Sequence, residues 1–288
     1  MPKKMTRRGF LRRSFGTLFG VAAAGTGGYY YAHEIEPKLL KTEHLTISSP
    51  NIPENFTDLK IIQFSDTHLG FHCEIEDLEK LVDKINRLEP DIVLFTGDLM
   101  DEPNMYSETQ AIVPVLNKLN AAIGKFAIYG NHDHGGYGTD IYKDIIEQSS
   151  FTLLKNSHRK IQIGEQALYI LGIDDAMLGK PNIQAALEGI PNDAYTILLS
   201  HAPDLAEPAA ELGINLQLSG HSHGGQIQLP FLGALVKPPH ATQYYEGFYT
   251  VGSINPLTLY VNRGIGTTRL PFRFLCRPEL TLFTLKKA

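Results

Sequence analysis

The stretch Asp91-Ile92-Val93-Leu94-Phe95-Thr96-Gly97-Asp98 shows a pattern that recurs along the chain, an apolar run that is followed by a short polar block. Its unbroken apolar run is typical of a strand that is buried on both faces, and the glycine that follows lets the backbone turn sharply. Four more polar blocks end an apolar run in the same way: Asp66-Thr67-His68, Gly130-Asn131-His132-Asp133, Ser200-His201 and Gly220-His221-Ser222-His223. Because ligands of open α/β sheets lie beyond the carboxyl ends of the strands, the five blocks are predicted to meet at one edge.

Segments with a helical period separate these strands. Apolar residues recur at helical spacing from Ile75 to Leu88, and Pro90 ends that helix. Further predicted elements are helices near 108–119, at 142–148 and after Pro203, and strands at 168–173 and from residue 244 onward. Strands that alternate with helices and are followed by more strands predict an α/β fold of two packed sheets with helices outside.

The composition predicts a folded, acidic body behind a basic leader. Of 288 residues, 43% are apolar and 20% are charged, which is typical of a chain with a packed core. Residues 1–32 contain six lysines and arginines and no acidic residue, so the net charge of −5 becomes −11 for residues 33–288. Affinity for a phosphate backbone needs a lysine- and arginine-rich surface, so nucleic acid is not expected as a partner.

Residues 1–32 are predicted to be an export signal. The run Thr6-Arg7-Arg8-Gly9-Phe10-Leu11-Arg12 resembles the twin-arginine motif, and the glycine-rich stretch behind it is too weakly apolar for a typical membrane span. Weak hydrophobicity after paired arginines suits an address that is read by the twin-arginine translocation machinery. Residues 33–288 then form one domain that acts in the periplasm, in the cell wall or on the outer face of the cytoplasmic membrane. Cleavage at Ala22-Ala23-Ala24 and retention as an anchor, with Tyr29-Tyr30-Tyr31 at the membrane interface, both remain open.

The two cysteines, Cys73 and Cys276, do not have the spacing of a thiolate metal site. Two structural thiols are the favoured interpretation. A disulfide is the alternative, because the sequence does not give the distance between them.

The spacing within two of the blocks suits metal ligands. Asp66 and His68 are two residues apart, so on extended backbone they share one face and can reach one cation. The same spacing relates His221 to His223, and the glycines around them let a substrate approach the backbone. Each block by itself also fits an ordinary turn at the end of a strand.

The remaining block residues complete the set. Asp98 can bridge two cations with its two oxygens, Asn131 offers a neutral carbonyl oxygen, and His201 ends a further strand. His132 is adjacent to Asn131 and is not needed as a ligand, so it is predicted to do acid–base work, with Asp101 orienting it. The blocks together, in this order, predict a site for two divalent cations that share one carboxylate, an arrangement used for in-line attack on phosphate esters.

These motifs resemble the calcineurin-like metallophosphoesterase superfamily over nearly all of residues 60–225. In the tail, Gly224-Gly225-Gln226, residues 259–264 and Pro278-Glu279 are similar to the exported bacterial YkuE-type branch. The resemblance implies a four-layer αββα sandwich of the metallo-dependent phosphatase type, with two divalent metal ions, Mn, Fe or Zn, as cofactors. It also implies that one ion is held by Asp66, His68, Asp98 and His223, and the other by Asp98, Asn131, His201 and His221.

The predicted function is that of a dinuclear metal-dependent phosphoesterase. A metal-bridging hydroxide is expected to attack a phosphodiester, phosphomonoester or pyrophosphate bond, and His132 to protonate the leaving oxygen. Two alternatives stay open. One is a lipid-linked pyrophosphatase such as a UDP-2,3-diacylglucosamine hydrolase, and the other is a non-catalytic, surface-tethered metal-binding protein.

Residues near the blocks have more general assignments. Arg263 is a candidate contact for the substrate phosphate, with a surface salt bridge as the equal alternative. His72 and His134 are predicted to be solvent-exposed loop histidines. The apolar run 230–236 is predicted to be a buried strand, with a lipid-facing lip, and hence association with a membrane surface, as the alternative.

Overall fold

A computed structural model describes residues 6–134 and 139–288 of the chain. In chain order the strands are β1 (Lys41–Ser49), β2 (Lys60–Phe64), β3 (Ile92–Phe95), β4 (Gly124–Ala127), β5 (Thr152–Leu153), β6 (Ser157–Ile163), β7 (Gln166–Gly172), β8 (Tyr195–Leu199), β9 (Leu216–Ser219), β10 (Gln228–Leu229), β11 (Gly233–Ala234), β12 (Gly247–Val251), β13 (Leu257–Val261) and β14 (Glu279–Lys287). Two six-stranded sheets result, with the orders β1-β14-β2-β3-β4-β5 and β12-β13-β9-β8-β7-β6. Strands β10 and β11 pair with each other as a separate hairpin.

Seven α-helices lie in the described residues. They are α1 (Arg7–Tyr30), α2 (Ile75–Asn86), α3 (Thr109–Leu116), α4 (Asn131–His134), α5 (Thr139–Gln148), α6 (Ile183–Leu187) and α7 (Ala206–Glu211). A π-helical turn at Tyr31–Ile35 and a 3₁₀ turn at Glu36–Lys38 follow α1. The predicted helix from residue 75 is confirmed: a capping box of Glu74 and Asp77 begins it, and its apolar residues face the core.

Alternation along the inner strands explains their unbroken apolar runs. In β3, Ile92 and Leu94 pack between the two sheets, whereas Val93 and Phe95 pack against α2, α3 and α5 on the other side. Both faces of the strand are therefore covered, and neither face selects polar residues.

The second sheet is covered in the same way. Leu198 and Leu259 pack on its outer face against Ile183 of α6 and Ala206 of α7. The layers are thus helix, sheet, sheet and helix, and the predicted αββα fold is confirmed. Strands β2, β3 and β4 run parallel, as do β7, β8 and β9, so their carboxyl ends meet at one edge of each sheet.

Helix α1 stands apart from this core. Thr6 caps it, with its side-chain oxygen accepting from the Gly9 backbone N–H at 3.2 Å, and none of its residues is buried. Among the described residues, no helix is both long and apolar enough to cross a membrane.

One prediction for the tail is wrong and one is confirmed. The run 230–236 is not a buried strand: it forms the turn and second strand of hairpin β10–β11, and Phe231 is fully exposed. Pro230 and a left-handed Gly233 turn the chain there, so the run cannot extend into either sheet. Cys73 and Cys276 are both free and buried, as expected of structural thiols.

Candidate metal centre

The carboxyl ends of five strands bring the predicted ligands together. Asp66 and His68 follow β2, Asp98 follows β3, and Asn131 begins α4 after β4. From the second sheet, His201 follows β8, and the pair His221 and His223 follows β9. The first sheet therefore supplies both carboxylates and the amide, and the second sheet supplies most of the imidazoles.

The backbone at these strand ends is unusual. Asp66, His68, Asp98, His221 and His223 all have a positive φ, between 46° and 69°. This left-handed conformation is uncommon for residues with a side chain and is retained only where the surrounding structure enforces it. Sequence spacing alone assumes extended backbone and does not reveal it.

Glycines allow the loops to approach each other closely. A Cβ added at Gly97 would lie 2.5 Å from the Gly130 backbone nitrogen, and one added at Gly130 would lie 2.2 Å from Asp98 Oδ1. Asp133 then ties these two loops together, because its carboxylate accepts the backbone N–H groups of Asp98, Leu99 and Gly130 at 2.8–3.0 Å. Sequence analysis did not assign this role to Asp133.

One cluster consists of Asp66, His68 and His223. Asp66 Oδ1 lies 3.4 Å from His223 Nε2 and 4.0 Å from His68 Nε2, and the two imidazole nitrogens are 3.0 Å apart. All three side chains are buried. Their ligand atoms converge on one point, which is the arrangement that a divalent cation requires.

A second cluster consists of Asp98, His201 and His221, whose ligand atoms lie within 4.8 Å of one another. Asp98 Oδ2 is 3.2 Å from His201 Nε2 and 3.6 Å from His68 Nε2 of the first cluster. The carboxylate of Asp98 therefore faces both clusters, and with His68 and His132 it forms a third group whose ligand atoms lie within 4.8 Å of one another.

Two buried atoms at the centre point to a bound cation. Asn131 Oδ1 has no hydrogen-bond partner among the described residues, and His201 Nε2 faces the Asp98 carboxylate at 3.2 Å. An unpaired buried polar group costs about 1–3 kcal/mol, so native structures seldom retain one without a purpose. A carbonyl oxygen and an imidazole nitrogen are both ligands for transition metals, and the residues therefore fit the implied ions.

Hydrogen bonds orient three of the imidazoles. His201 Nδ1 donates to the Thr96 carbonyl at 2.7 Å, and His221 Nε2 donates to the Pro239 carbonyl at 2.8 Å. His68 Nδ1 donates to Asp101 Oδ1 at 3.0 Å. In each ring the other nitrogen is left for the centre, which is the usual way in which metal-ligating histidines are held.

The electrostatics keep several ligands in the form that binds metal. Burial lowers the pKa of His221 and of His223 to about 4, so both imidazoles are neutral near pH 7. Burial alone would raise the pKa of Asp98, but the imidazole of His201 and its neighbours outweigh burial and hold that pKa well below its ordinary value. Neutral imidazoles at His221 and His223 and an ionised carboxylate at Asp98 are the ligand forms that metal binding requires. His201 differs, because the Asp98 carboxylate outweighs burial and raises the pKa of His201 well above its ordinary value.

Asp101 and His132 are brought together, in an arrangement that differs from the prediction. His132 Nδ1 donates to the backbone carbonyl of Asp101 at 2.7 Å, whereas the Asp101 carboxylate is 3.6 Å away. That carboxylate instead orients His68. His132 Nε2 is left without a described partner, and the ring is about one quarter exposed. Burial lowers the pKa of His132, but the Asp98 and Asp101 carboxylates outweigh it and raise that pKa above its ordinary value.

The structure favours the alternative role of Arg263. Its guanidinium lies 2.9 Å from Glu43, 2.9 Å from Glu279 and 3.9 Å from Glu246. Three carboxylates thus surround this cation, and none of the metal ligands pairs with it. A structural ion pair accounts for Arg263 without a substrate phosphate.

The two histidines outside the ligand set differ from each other. His72 is exposed, as predicted. His134 is not a solvent-exposed loop residue: its ring is 9% exposed and its Nε2 lies 2.6 Å from Asp174 Oδ1. Asp174 follows β7, so the contact joins the second sheet to α4, and this long-range pairing was not visible in the local sequence.

The αββα fold and the clusters of buried aspartate and histidine side chains are those expected of a metallophosphoesterase. Residues 59–225 match the calcineurin-like phosphoesterases, and the chain belongs to that family. The matched range contains every predicted metal ligand, together with Asp101 and His132.

Relatives extend the similarity to the whole chain. The chain is 47% identical over 285 residues to the uncharacterized metallophosphoesterase YkuE of Bacillus subtilis, covering 99% of each protein. It is 31% identical over 265 residues to a transmembrane protein with metallophosphoesterase domain from Danio rerio, covering 88% of this chain and 58% of that protein. Among solved structures, the NAD nucleotidase of Haemophilus influenzae superposes with a TM-score of 0.48 at 14% identity, over 72% of this chain and 45% of that one.

Proposed function

We propose that the protein is a dinuclear metal-dependent phosphoesterase. The observation that carries the proposal is the carboxylate of Asp98, which faces two separate clusters of buried ligands at the junction of the two sheets. Two divalent cations, Mn, Fe or Zn, held by these clusters would polarise a phosphoryl group and lower the pKa of water toward neutrality. Membership of the calcineurin-like phosphoesterase family supports the assignment of the reaction to phosphate esters.

His132 is the group proposed to protonate the leaving oxygen. Its Nδ1 donates to the Asp101 carbonyl, so its Nε2 is the end that can carry a proton to substrate. The backbone N–H of His132 donates to Asp98 Oδ1 at 2.8 Å, which places the ring beside the shared carboxylate. Asp101 acts as a positioning residue, through its carbonyl for His132 and through its carboxylate for His68.

The proposed location is outside the cytoplasmic membrane, in the periplasm, in the cell wall or on the outer membrane face. It is supported by the twin-arginine-like run Thr6–Arg12 and by the weakly apolar helix behind it. Changing Arg7 and Arg8 together to lysine is expected to abolish export of a fractionated, tagged chain. Unchanged export of that variant would contradict the route, and it would leave the catalytic proposal unaffected.

Hydrolysis of bis-p-nitrophenyl phosphate with added Mn tests the catalytic proposal. Asp98→Asn is expected to lower kcat/KM by about 10³-fold or more and to reduce the bound metal measured by elemental analysis, because the shared ligand is weakened. Asp83→Asn is the matched control, because this exposed aspartate of α2 is 15 residues from the nearest ligand in the sequence.

Three outcomes separate the candidate functions. Hydrolysis that is lost in Asp98→Asn and kept in Asp83→Asn supports the proposal. Tight metal binding without hydrolysis of any phosphoester supports the non-catalytic alternative. Turnover of a lipid-linked pyrophosphate alone supports the pyrophosphatase alternative.

A further inference from the structure

Hairpin β10–β11 carries large apolar side chains that the rest of the described chain leaves uncovered. Phe231 is fully exposed, and Leu232, Leu235 and Val236 are 75%, 54% and 66% exposed. Single exposed hydrophobic residues are ordinary, but four of them within six positions form a contiguous apolar tip, which marks an interaction site.

The root of this hairpin is firmly held. The Gln228 backbone N–H donates to the Phe274 carbonyl and the Phe274 N–H donates to the Gln226 carbonyl, both at 2.9 Å. Two further apolar side chains, of Leu270 and Leu275, are 54% and 52% exposed. Leu275 follows Phe274 in the chain, and the Leu270 carbonyl accepts from the Gln226 side-chain amide at 3.4 Å. The apolar tip is therefore displayed by a fixed base and enlarged by its neighbours.

The chain that leaves α1 is bound to the same segment. The Arg273 backbone N–H donates to the Ala32 carbonyl at 2.9 Å, and the Tyr31 ring contacts the Phe274 ring. The fully buried Glu36 accepts the backbone N–H of Cys276 at 2.6 Å. Helix α1 thus emerges beside the hairpin, and cleavage at Ala22-Ala23-Ala24 would leave these contacts intact.

A basic cleft adjoins the same segment. It has a volume of about 570 Å³ and is lined by five cationic side chains and a single aspartate: Lys38, Lys80, Lys84, Arg87, Arg277 and Asp77. Lys38 pairs with Glu34 and Lys80 pairs with Asp77, which leaves Lys84, Arg87 and Arg277 without a carboxylate partner among the described residues. Arg277 Nε donates to the Leu39 carbonyl at 2.9 Å. Since Arg277 is three residues from Phe274, the cleft and the hairpin root are at most about 10 Å apart along the chain. This positive charge contrasts with the net −11 of residues 33–288.

An apolar tip beside a basic cleft is the pattern of a protein that lies on an anionic bilayer. Apolar side chains enter the boundary between head groups and acyl chains, and nearby cations attract the lipid phosphates. We propose that hairpin β10–β11 inserts into an anionic membrane surface while the basic cleft binds lipid phosphate groups. The acidic remainder of the domain is repelled by such a surface, so the protein docks by this face.

Docking by this face brings the metal centre to the lipid head groups. The hairpin begins at Gln228, four residues after Gly224. Next to its root, the Thr268 N–H donates to the Gln226 side chain, and the Thr268 hydroxyl donates to Asp101 Oδ1 at 3.3 Å. The substrate class that follows is a phosphoester or pyrophosphate at the membrane surface. This consequence, unlike the docking itself, rests on the proposed function.

Co-sedimentation of the full chain with lipid vesicles tests the proposal. Wild type is expected to bind phosphatidylcholine vesicles that contain phosphatidylglycerol, and to bind pure phosphatidylcholine vesicles much more weakly. Phe231→Ser with Leu232→Ser is expected to lower the partition coefficient by about tenfold or more, because two inserted apolar side chains are lost. Met105→Ser with Ile254→Ser is the matched control, since those side chains are 76% and 90% exposed on other loops and should change nothing.

A second pair of variants tests the cleft. Arg87→Gln with Arg277→Gln, at two exposed positions of the cleft, is expected to lower binding to anionic vesicles by about fivefold for each charge, and this loss should shrink in high salt. Lys143→Gln with Lys160→Gln removes two exposed charges elsewhere and is expected to bind like wild type.

The proposal is overturned if the hairpin variant binds anionic vesicles as tightly as wild type, a result that would also be obtained if the chain bound through α1 alone. It is equally overturned if the matched control loses as much binding as the hairpin variant. Hydrolysis of the soluble diester is measured in parallel and is expected to stay unchanged in the hairpin and cleft variants. Vesicle binding by the inactive Asp98→Asn chain is expected to equal that of wild type. Vesicle binding and hydrolysis of the soluble diester therefore distinguish a failure of docking from a failure of catalysis.

Discussion

The metal centre and hairpin β10–β11 depart from ordinary burial in opposite directions. At the metal centre, Asp66, Asp98 and His201 are at most 2% exposed, although charged and polar groups are costly to bury without a partner. At the hairpin, Phe231 and Leu232 are exposed, although apolar surface is costly to leave in water. A ligand of the matching chemistry would relieve each departure, and our proposals assign a cation to the metal centre and a lipid surface to the hairpin.

The largest expected effect concerns proton donation by His132 at the metal centre. His132→Asn is expected to lower kcat by about 10²–10⁴-fold, because it removes the proposed proton donor, while the bound metal content stays at the wild-type value. The measurement is steady-state hydrolysis together with elemental analysis. His158→Asn, which removes a ring that donates to the Ala186 carbonyl, is the matched control. Loss of metal in His132→Asn would assign this residue to the ligands instead.

Metal removal tests whether cations complete the buried centre. At a free Mn concentration about 100 times the dissociation constant, the free energy of unfolding is expected to exceed that of chelated protein by about 2.7 kcal/mol. Urea unfolding with Mn and with a chelator measures the difference. In Asp98→Asn the stabilisation by Mn is expected to be much smaller, and an equal stabilisation in that variant would mean that the ions bind elsewhere.

A smaller effect concerns a buried carboxylate that has protein partners. Burial raises the pKa of Asp174, but the Lys180 N–H, His134 and Lys155 outweigh it, and the pKa is lower than the ordinary value. A lowered pKa in the folded state stabilises the protein above the unfolded value of about 4, and this contribution is lost as the pH falls through the lowered pKa.

Asp174→Asn is accordingly expected to cost about 1 kcal/mol of unfolding free energy at pH 7, with the difference from wild type shrinking below about pH 4. Urea unfolding across this pH range measures it. Asp193→Asn, at an exposed position, is the control and should differ little from wild type at any pH. If the difference in unfolding free energy grew as the pH fell, the prediction of a lowered pKa for Asp174 would be contradicted.

The smallest expected effect concerns the exposed side chains of hairpin β10–β11. Phe231→Ser with Leu232→Ser is expected to change the free energy of unfolding by less than about 0.5 kcal/mol, because the described residues leave these side chains fully and three-quarters exposed. A loss of several kcal/mol in urea unfolding would mean that the hairpin is covered in solution, and the contrast with the metal centre would disappear.

Much of the fold and of the ligand set followed from local pattern. The unbroken apolar run of β3 and the helical period of α2 predicted their elements, because each depends on neighbours within a few residues. The order of polar blocks at strand ends predicted the residues that the structure brings together. The left-handed backbone at five of the predicted ligands could not be predicted, since non-glycine residues adopt it only under the constraint of the surrounding loops. These residues are Asp66, His68, Asp98, His221 and His223.

The partners of individual side chains were decided by contacts between distant segments. Asp101 was predicted to orient His132, yet its carboxylate orients His68 and only its carbonyl reaches His132. Arg263 pairs with Glu43, which lies 220 residues away in the chain. The spacing of residues along a strand carries no information on such pairings.

The sequence by itself determined the chemistry: which side chains are available, at which strand ends, and in what order. Tertiary structure alone decided which nitrogen of each imidazole faces the centre, that Asp98 faces both clusters, and that the apolar hairpin stays outside the core. The physical reason is that residue type and periodicity act over a few residues, whereas burial and hydrogen-bond partners depend on how the two sheets and the N-terminal segment pack against each other.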